Sequence, residues 1–382
     1  MDKKLKIAIL IRDYDFSSGG SQKYCVELTN RLSEIHDVHV YAQNIVTPFD
    51  KITFHKIPRL FTKPRFLNQL IFSRLTRKAV EQGRYDIVHS HDTVTHADVY
   101  TLHVDCVKTK WTNKKGLAKF LYFLDTLLSP RMLSYLWLEH KKLKPSFKKK
   151  LIIVSGYLER NILASYPKTK PYLSTAQPGI NIEHSLNKEQ HKAVRYGFRK
   201  KHAIPKNAYV LLFIAHDFKR KGIHTIIKAL EILNNDDIYL IVAGKDNPKK
   251  VPFSSNIVQA NTLFLGPVAN MDNIYPGADT LVHPTLNDTY GMVVVESMLH
   301  QLSVIVSNKK YCGVSEYINK DEAIILENPK NAINLSKSID LLHINIEHRD
   351  KIAKNGFKKA QTYTWEHTLA QTLKAYQESV DT

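Results

Sequence analysis

The sequence predicts an α/β protein built from two Rossmann-like, doubly wound domains, and three observations carry that expectation. Short, β-rich apolar runs alternate with segments of helical periodicity along the chain. The runs are almost continuously apolar, as parallel strands covered on both faces should be. They also fall into two sets, separated by a polar stretch carrying Pro178-Gly179. At 382 residues and 43% apolar content the chain exceeds one ordinary core and can fill two.

The first set of expected strands holds "LKIAILI", "VHVYA", "DIVHSH", "DVYTLHV" and "LIIVS". The second holds "YVLLFIA", "IYLIVAG", "TLFLG", "TLVHP", "SVIVS" and "AIILE". Between them "QPGINIEHSLNKEQHK", Gln177 to Lys192, lacks a sustained apolar period and reads as an interdomain linker. This gives a first domain over 1–180 and a second over 181–363, with a helix over 364–382 that packs back on the first. The expected arrangement has the two domains facing a central cleft.

Open α/β sheets bind ligands at the carboxyl ends of their strands, so the loops leaving those strands are the candidate sites. After the first strand, Gly19-Gly20 precedes Cys25, Leu28, Leu32 and Ile35 at helical spacing. A diglycine lets the backbone approach a phosphate, and a helix start offers unpaired N–H groups. Neither GxGxxG nor GxxxxGK[ST] is present, which weighs against a nicotinamide dehydrogenase and a Walker NTPase. In the second set "DFKRKG" places Arg220 and Lys221 where a strand hands over to the helix marked by Ile223, Ile226, Ile227, Leu230 and Leu233. Cations at a helix N-terminus oppose its dipole, a cost that a bound anion would reverse; a solvated basic turn has the same pattern. Arg220 suits a forked grip on phosphate and Lys221 a compact charge. A third loop, "HPTLNDTYGMVVVESM", sets Asp288 in the turn and Glu296 in a helix expected to start near Tyr290. Two such acceptors suit sugar hydroxyls.

Lys+Arg 55 against Asp+Glu 36 gives a net charge of +19, a statement about partners rather than fold. Much of it lies in 105–150, where twelve Lys/Arg face three Asp/Glu and Trp111, Phe120, Tyr122, Phe123, Tyr135 and Trp137 are interleaved. Leu117, Phe120, Leu121, Leu124 and Leu128 form one apolar helical stripe, and Met132, Leu133, Leu136 and Trp137 another. Basic residues beside aromatic ones describe a helix resting on an anionic membrane surface; an amphipathic helix packed on its own domain has the same pattern. Nucleic acid is not the expected partner, since no RRM, KH or helix-turn-helix signature is present. Cys25, Cys106 and Cys312 include no CxxC pair, which points to a reducing compartment. The amino-terminal apolar run is too short for a signal peptide, and no run approaches a membrane span. Localisation is expected to be cytoplasmic, peripheral to the inner face of the plasma (inner) membrane. His89, His91, His96 and His103 raise the question of a metal, but no carboxylate or cysteine completes a ligand spacing, so none is expected.

Taken together these motifs resemble the retaining nucleotide-sugar glycosyltransferases of family 4, which have the two-domain GT-B fold. The resemblance covers nearly the whole chain. It rests on Gly19-Gly20, Thr101 to His103, the hinge Gln177-Pro178-Gly179-Ile180, Arg220 to Gly222, and the element from Asp288 to Glu296. Within the family, "GGSQ", "DFKRKGI", "AGKDNPKK", "HPTLNDTYGMVVVE" and "CGVSEYI" look similar to the subgroup that adds glucose to the inner-core heptose of lipopolysaccharide.

The resemblance implies that Arg220 and Lys221 bind the donor diphosphate and that Glu296 accepts from ribose hydroxyls. It implies further that His103 meets the donor sugar and that the backbone of Thr289, Tyr290, Gly291 and Met292, with Gly19 and Gly20, lines sugar and phosphate. Asp288 stands where the family has glutamate; it is one methylene shorter, which bears on donor identity. Asp246 and Lys250 are nearby polar groups without an implied role. The implied activity is metal-independent, retaining transfer of a hexose, glucose from UDP-glucose, to a lipopolysaccharide core or other cell-surface glycan acceptor. No cofactor is implied beyond the nucleotide-sugar co-substrate. Two further classes remain open: a non-catalytic basic nucleotide- or nucleic-acid-binding protein, and a GT-B nucleotide-sugar epimerase.

Overall fold

Two all-parallel sheets organise the chain. The structure, a computed structural model, describes residues 4–109, 116–146, 148–184 and 186–381, with helical backbone alone at positions 118, 119, 122 and 184. It divides into two compact units, Met1–Gly179 with Trp365–Thr382, and Ile180–Thr364.

The first unit contains β1 (Lys6–Leu10), β2 (Asp13–Tyr14), β3 (Asp37–Ala42), β4 (Asn44–Ile45), β5 (Ile52–Lys56), β6 (Ile87–Ser90), β7 (Val99–Leu102), β8 (Lys150–Ile153) and β9 (Leu173–Thr175). Its main sheet runs β5-β3-β1-β6-β7-β8-β9, while β2 and β4 form a separate parallel ribbon. The chain winds outward from β1 to β5, returns to the middle at β6 and winds the other way. The topological switch therefore lies between β1 and β6, where crossovers leave a crevice at the carboxyl edge.

The helix Trp365–Val380 belongs to this first unit. The Thr368 hydroxyl donates to the Gln177 carbonyl at 2.6 Å and that of Ser379 to Lys148 at 2.6 Å, while Lys150 pairs with Glu378 at 3.0 Å.

The second unit repeats the plan with β10 (Tyr209–Ile214), β11 (Ile238–Ala243), β12 (Thr262–Gly266), β13 (Thr280–His283), β14 (Ser303–Ser307) and β15 (Ile324–Leu326). The order is β12-β11-β10-β13-β14-β15, which puts the switch between β10 and β13. Tyr209, Leu211, Phe213, Leu240, Val242, Val282 and Ile305 supply one face of its core, against Ile226, Ile227 and Leu230 of the helix Ile223–Leu233.

Two local departures from the sequence expectation have physical causes. The stretch expected as linker contains the start of a helix, Lys188–Lys201. A reciprocal capping box nucleates it: the Asn187 side chain accepts from Gln190 N at 2.9 Å, and the Gln190 side chain accepts from Asn187 N at 3.1 Å. This helix is anchored by arginines rather than by an apolar stripe, for Arg195 and Arg199 both pair with Asp279, at 2.6 and 2.8 Å. The edge strands β5 and β9 carry no continuous apolar run, because an edge buries little: only Ile52 of β5 and no residue of β9 is buried.

Candidate functional site

In the second unit the loops leaving β10 and β13 meet across the switch. Asp217 caps a single helical turn, Phe218–Lys221, its carboxylate accepting from Arg220 N at 3.1 Å. Asp246, from the loop after β11, accepts from Phe218 N at 2.9 Å, which gives that residue the task of fixing the turn. Lys219, Arg220 and Lys221 thus occupy the last turn of this short helix, where cations are favoured. Arg220 and Lys221 were expected at the N-terminal end of the following helix; they directly precede it in a turn of their own, and Gly222, left-handed at φ 91°, ends that turn and caps the helix. A Cβ at Gly222 would lie 2.1 Å from the Pro284 carbonyl oxygen. Glycine is therefore what lets the basic turn pass so close to the loop after β13.

That closeness brings the charged groups together. Arg220 receives a bond from Leu286 N on its carbonyl at 2.9 Å and donates from Nη1 to the Asn287 carbonyl at 2.8 Å. Lys221 Nζ forms an ion pair with Asp288 Oδ2. His283, the last residue of β13, brings Nε2 to 3.0 Å from the same oxygen. Asp288 is held from behind as well: its N–H donates to the Tyr311 carbonyl at 2.7 Å and its carbonyl accepts from Gly313 N at 3.0 Å. Burial alone would push the Asp288 carboxyl up, yet the ammonium of Lys221 and the bond from His283 hold it well below the usual carboxylate range.

The helix carrying Glu296 is Met292–Leu299, starting two residues later than expected. Gly291 at φ 102° breaks the chain before it, and a Cβ there would sit 2.8 Å from Cys312 Sγ. The first-turn N–H groups of Met292 and its neighbours face the loop end of the helix, as such groups do when they offer themselves to an anion. Glu296 lies one turn further in and accepts from the Tyr275 hydroxyl at 2.9 Å. Burial, and then the Glu296 charge, push the Tyr275 phenol well above its ordinary value. Tyr290 is buried and Thr289 half-buried; the Tyr290 carbonyl accepts from Val314 N at 2.7 Å, fixing the loop's far end.

Among the described residues one group offers three metal-ligating atoms within 4.8 Å of one another: His283, Asp288 and Cys312. Its chemistry suits a metal poorly. Asp288 Oδ2 already serves Lys221 and His283, and burial followed by the Asp288 charge pushes the Cys312 thiol far up. A metal ligand would have to be thiolate.

In the first unit the expected residues also gather at the carboxyl edge. Gly19 caps the helix Gly20–Ser33 without any side-chain bond. Arg12, after β1, and Asp92, after β6, straddle the switch: Arg12 N, Nε and Nη2 approach the Asp92 carboxylate at 2.8, 3.0 and 2.9 Å. His103 follows β7 and lies 3.0 Å, Nε2 to Nδ1, from His91, with the two rings stacked. Tyr24 packs edge-on against His103 at 5.0 Å between centroids. Behind them His89 bonds the Tyr376 hydroxyl and Thr101 Oγ1, each at 2.7 Å. Burial, and for His103 the neighbouring Lys142, lower both His89 and His103 to about 3, so these imidazoles are neutral.

The segment 105–150 forms the helices Gly116–Leu128 and Pro130–Leu143. Leu117, Phe120, Leu121 and Leu128 are 72%, 56%, 56% and 84% exposed, and Leu124, Leu127, Leu133 and Trp137 are exposed too. The apolar stripe thus faces outward. Trp111 and the side chain of Tyr122 lie outside the described residues. No helix among the described residues is long and apolar enough to cross a membrane.

Two Rossmann-like units, each built on an all-parallel sheet, define the GT-B class of two-domain α/β proteins, and this chain has that fold. The chain belongs to the glycosyltransferases: residues 18–184 match the family described as Glycosyltransferase Family 4, and residues 195–359 match Glycosyl transferases group 1. It is 24% identical, over 97% of its length and 98% of the relative's, to an uncharacterized glycosyltransferase of Methanocaldococcus jannaschii. It is 26% identical to the lipopolysaccharide glucosyltransferase WaaG of Escherichia coli, over 58% of each chain. The crystal structure of WaaG matches its fold with a TM-score of 0.80 at 22% identity, covering 93% of this chain and 95% of that one. Anabaena HepE, solved with UDP and glucose, matches with a TM-score of 0.69 at 14% identity over 97% and 98%.

His283 and Tyr275 did not stand out in the sequence. The available signal was a histidine ending an apolar strand in "TLVHP" and a tyrosine beside Pro276-Gly277, and each also fits an ordinary core residue.

Proposed function

We propose that the protein is a retaining, metal-independent hexosyltransferase that takes glucose from UDP-glucose to a lipopolysaccharide core or other cell-surface glycan. The observation that carries the donor reading is the Lys221–Asp288 pair at the switch of the second unit, with Arg220 beside it. As the donor's glycosidic bond breaks, the leaving diphosphate gains charge, and cations already held at its oxygens stabilise that state more than the ground state. Arg220 and Lys221 serve this role, the backbone N–H groups at Gly291 and Met292 extend it, Glu296 receives ribose hydroxyls, and Asp288 lies beside the donor sugar. Gly19, Gly20 and His103 lie at the carboxyl edge of the first unit's own sheet. Attack comes from the face the diphosphate leaves, with a donor phosphate oxygen taking the acceptor's proton. WaaG's glucosyl transfer and HepE's UDP and glucose support the choice of donor.

Thermal-shift titration against UDP, GDP and their glucose and mannose conjugates tests the donor: a rise in melting temperature with UDP and UDP-glucose, and not with the GDP compounds, is expected, and a preference for GDP would reject it. Transfer with the product's anomeric configuration read by NMR tests retention, and full transfer in EDTA is the expected result for metal independence.

The outward apolar stripe of Gly116–Leu128, next to a strongly basic sequence, supports docking of the first unit on the cytosolic leaflet, where a lipid-linked acceptor lies. Vesicles containing phosphatidylglycerol should bind the protein and release it as salt rises, because charges near such a surface are screened within a Debye length. Replacing Leu117, Phe120 and Leu124 with Ser should abolish that binding and leave the UDP-glucose shift intact. Equal binding to neutral vesicles, or none to either, would reject the membrane role.

A further inference from the structure

We propose that His283 is a positioning residue for transfer, acting through Asp288 to hold Lys221 in place; this rests on the reading of Lys221 as the group that meets the donor diphosphate. An ionised carboxylate can only accept hydrogen bonds. Both groups at Asp288 Oδ2 must therefore donate, which puts the imidazole proton of His283 on Nε2. The other ring nitrogen, Nδ1, is buried and has no hydrogen-bond partner among the described residues. A second proton there would be an unpaired buried N–H on a charged ring, at a cost the site gives no means of offsetting. Burial accordingly pushes the His283 pKa down despite the pull of Asp288.

A neutral donor is what the geometry requires. A second cation at this position would compete with Lys221 for one oxygen and repel its ammonium. A neutral N–H fixes the carboxylate without contesting the charge. With its backbone tied to Tyr311 and Gly313, and its Oδ2 tied to His283, Asp288 has one orientation to offer Lys221. One N–H of the ammonium is spent on Asp288, and the remaining two point from a fixed place. The shorter side chain of aspartate fits this task, since it keeps the carboxylate back against β13, where His283 ends the strand.

The test is a double-mutant cycle read as kcat, donor KM and the acid limb of the pH profile, using the full chain and UDP-glucose. His283→Leu should lower kcat by about tenfold, the effect of losing one bond to a charged group. It should also move the acid limb upward, because Asp288 loses a bond that favours its charged form. His283→Asn, which retains an amide donor, should recover part of the loss. In an Asp288→Ala background His283→Leu should cost nothing further. An equal loss in both backgrounds, with the acid limb unmoved and only the melting temperature lowered, would overturn the proposal in favour of a packing role. Loss of transfer in Lys221→Ala combined with full transfer in His283→Leu would overturn it while keeping the donor reading. Full transfer in Lys221→Ala would overturn both.

Discussion

The two units place an oppositely charged pair at the same topological position and use it differently. In the first, Arg12 spends its backbone N–H on one oxygen of Asp92 and two guanidinium nitrogens on the other, engaging both carboxylate oxygens. In the second, Lys221 and neutral His283 share a single oxygen of Asp288, and the ammonium keeps donors to spare. The first pair is a strut between loops, whereas the second is a cation held ready for something else. Arginine's fork favours closure with one partner; lysine's point charge can serve two at once.

The comparison can be sharpened first by acid. The first unit buries His89, His91 and His103 in neutral form with folded pKa values far below the unfolded value near 6.5. Below pH 6.5 the unfolded chain takes up protons that the folded one refuses. Stability is thus fully present above that pH and is lost as pH falls toward the folded values, at about 1.4 kcal/mol per pH unit for each fully shifted histidine. Denaturant melts at pH 7.5 and 5.5 should show the first unit weakening more than the second, and His91→Gln should flatten its slope. Equal weakening of both units would break the contrast.

The pairs themselves give the next effect. Lys221→Ala should cut transfer at least tenfold, about 1.5 to 3 kcal/mol of lost charge-assisted contact. Arg12→Ala should lower the melting temperature while leaving kcat of the folded protein within about threefold, as expected of a strut. The reverse pattern in kinetic assays would exchange the two roles. A smaller effect separates the two glycine turns. Gly291→Ala should cost about 1 to 3 kcal/mol of stability, since φ 102° and the Cys312 contact both resist a Cβ. Gly19→Ala should be nearly neutral in melting, because the added Cβ meets only the movable end of Gln22, 3.0 Å away.

The architecture was legible because parallel strands buried on both faces leave continuous apolar runs; "YVLLFIA", "IYLIVAG" and "SVIVS" became β10, β11 and β14. The edge strands β12 and β15 keep such a run in "TLFLG" and "AIILE", whereas the edge strands β5 and β9 do not, so those two were not foreseen. The residues meeting at the second switch were legible as types, since they lie in the loops leaving the strands' carboxyl ends, where open α/β sheets bind ligands. Their pairing was not. That Lys221 reaches Asp288 depends on Gly222 passing Pro284, a contact between residues 62 apart, as the 2.1 Å Cβ approach makes plain. The helix Lys188–Lys201 was hidden for a different reason: arginines pairing with Asp279 do the anchoring that an apolar stripe would normally advertise.

The helix Trp365–Val380 also sets an order of assembly. Residues 180–364 leave the ribosome before the residues that bring Tyr376 to His89 and cover the sheet of the first unit. During synthesis the second unit can therefore complete its core while the first, though made earlier, waits with an open flank. A chain stopped at Thr364 would then hold a finished second unit joined to an unfinished first one, in which His89 lacks the Tyr376 hydroxyl.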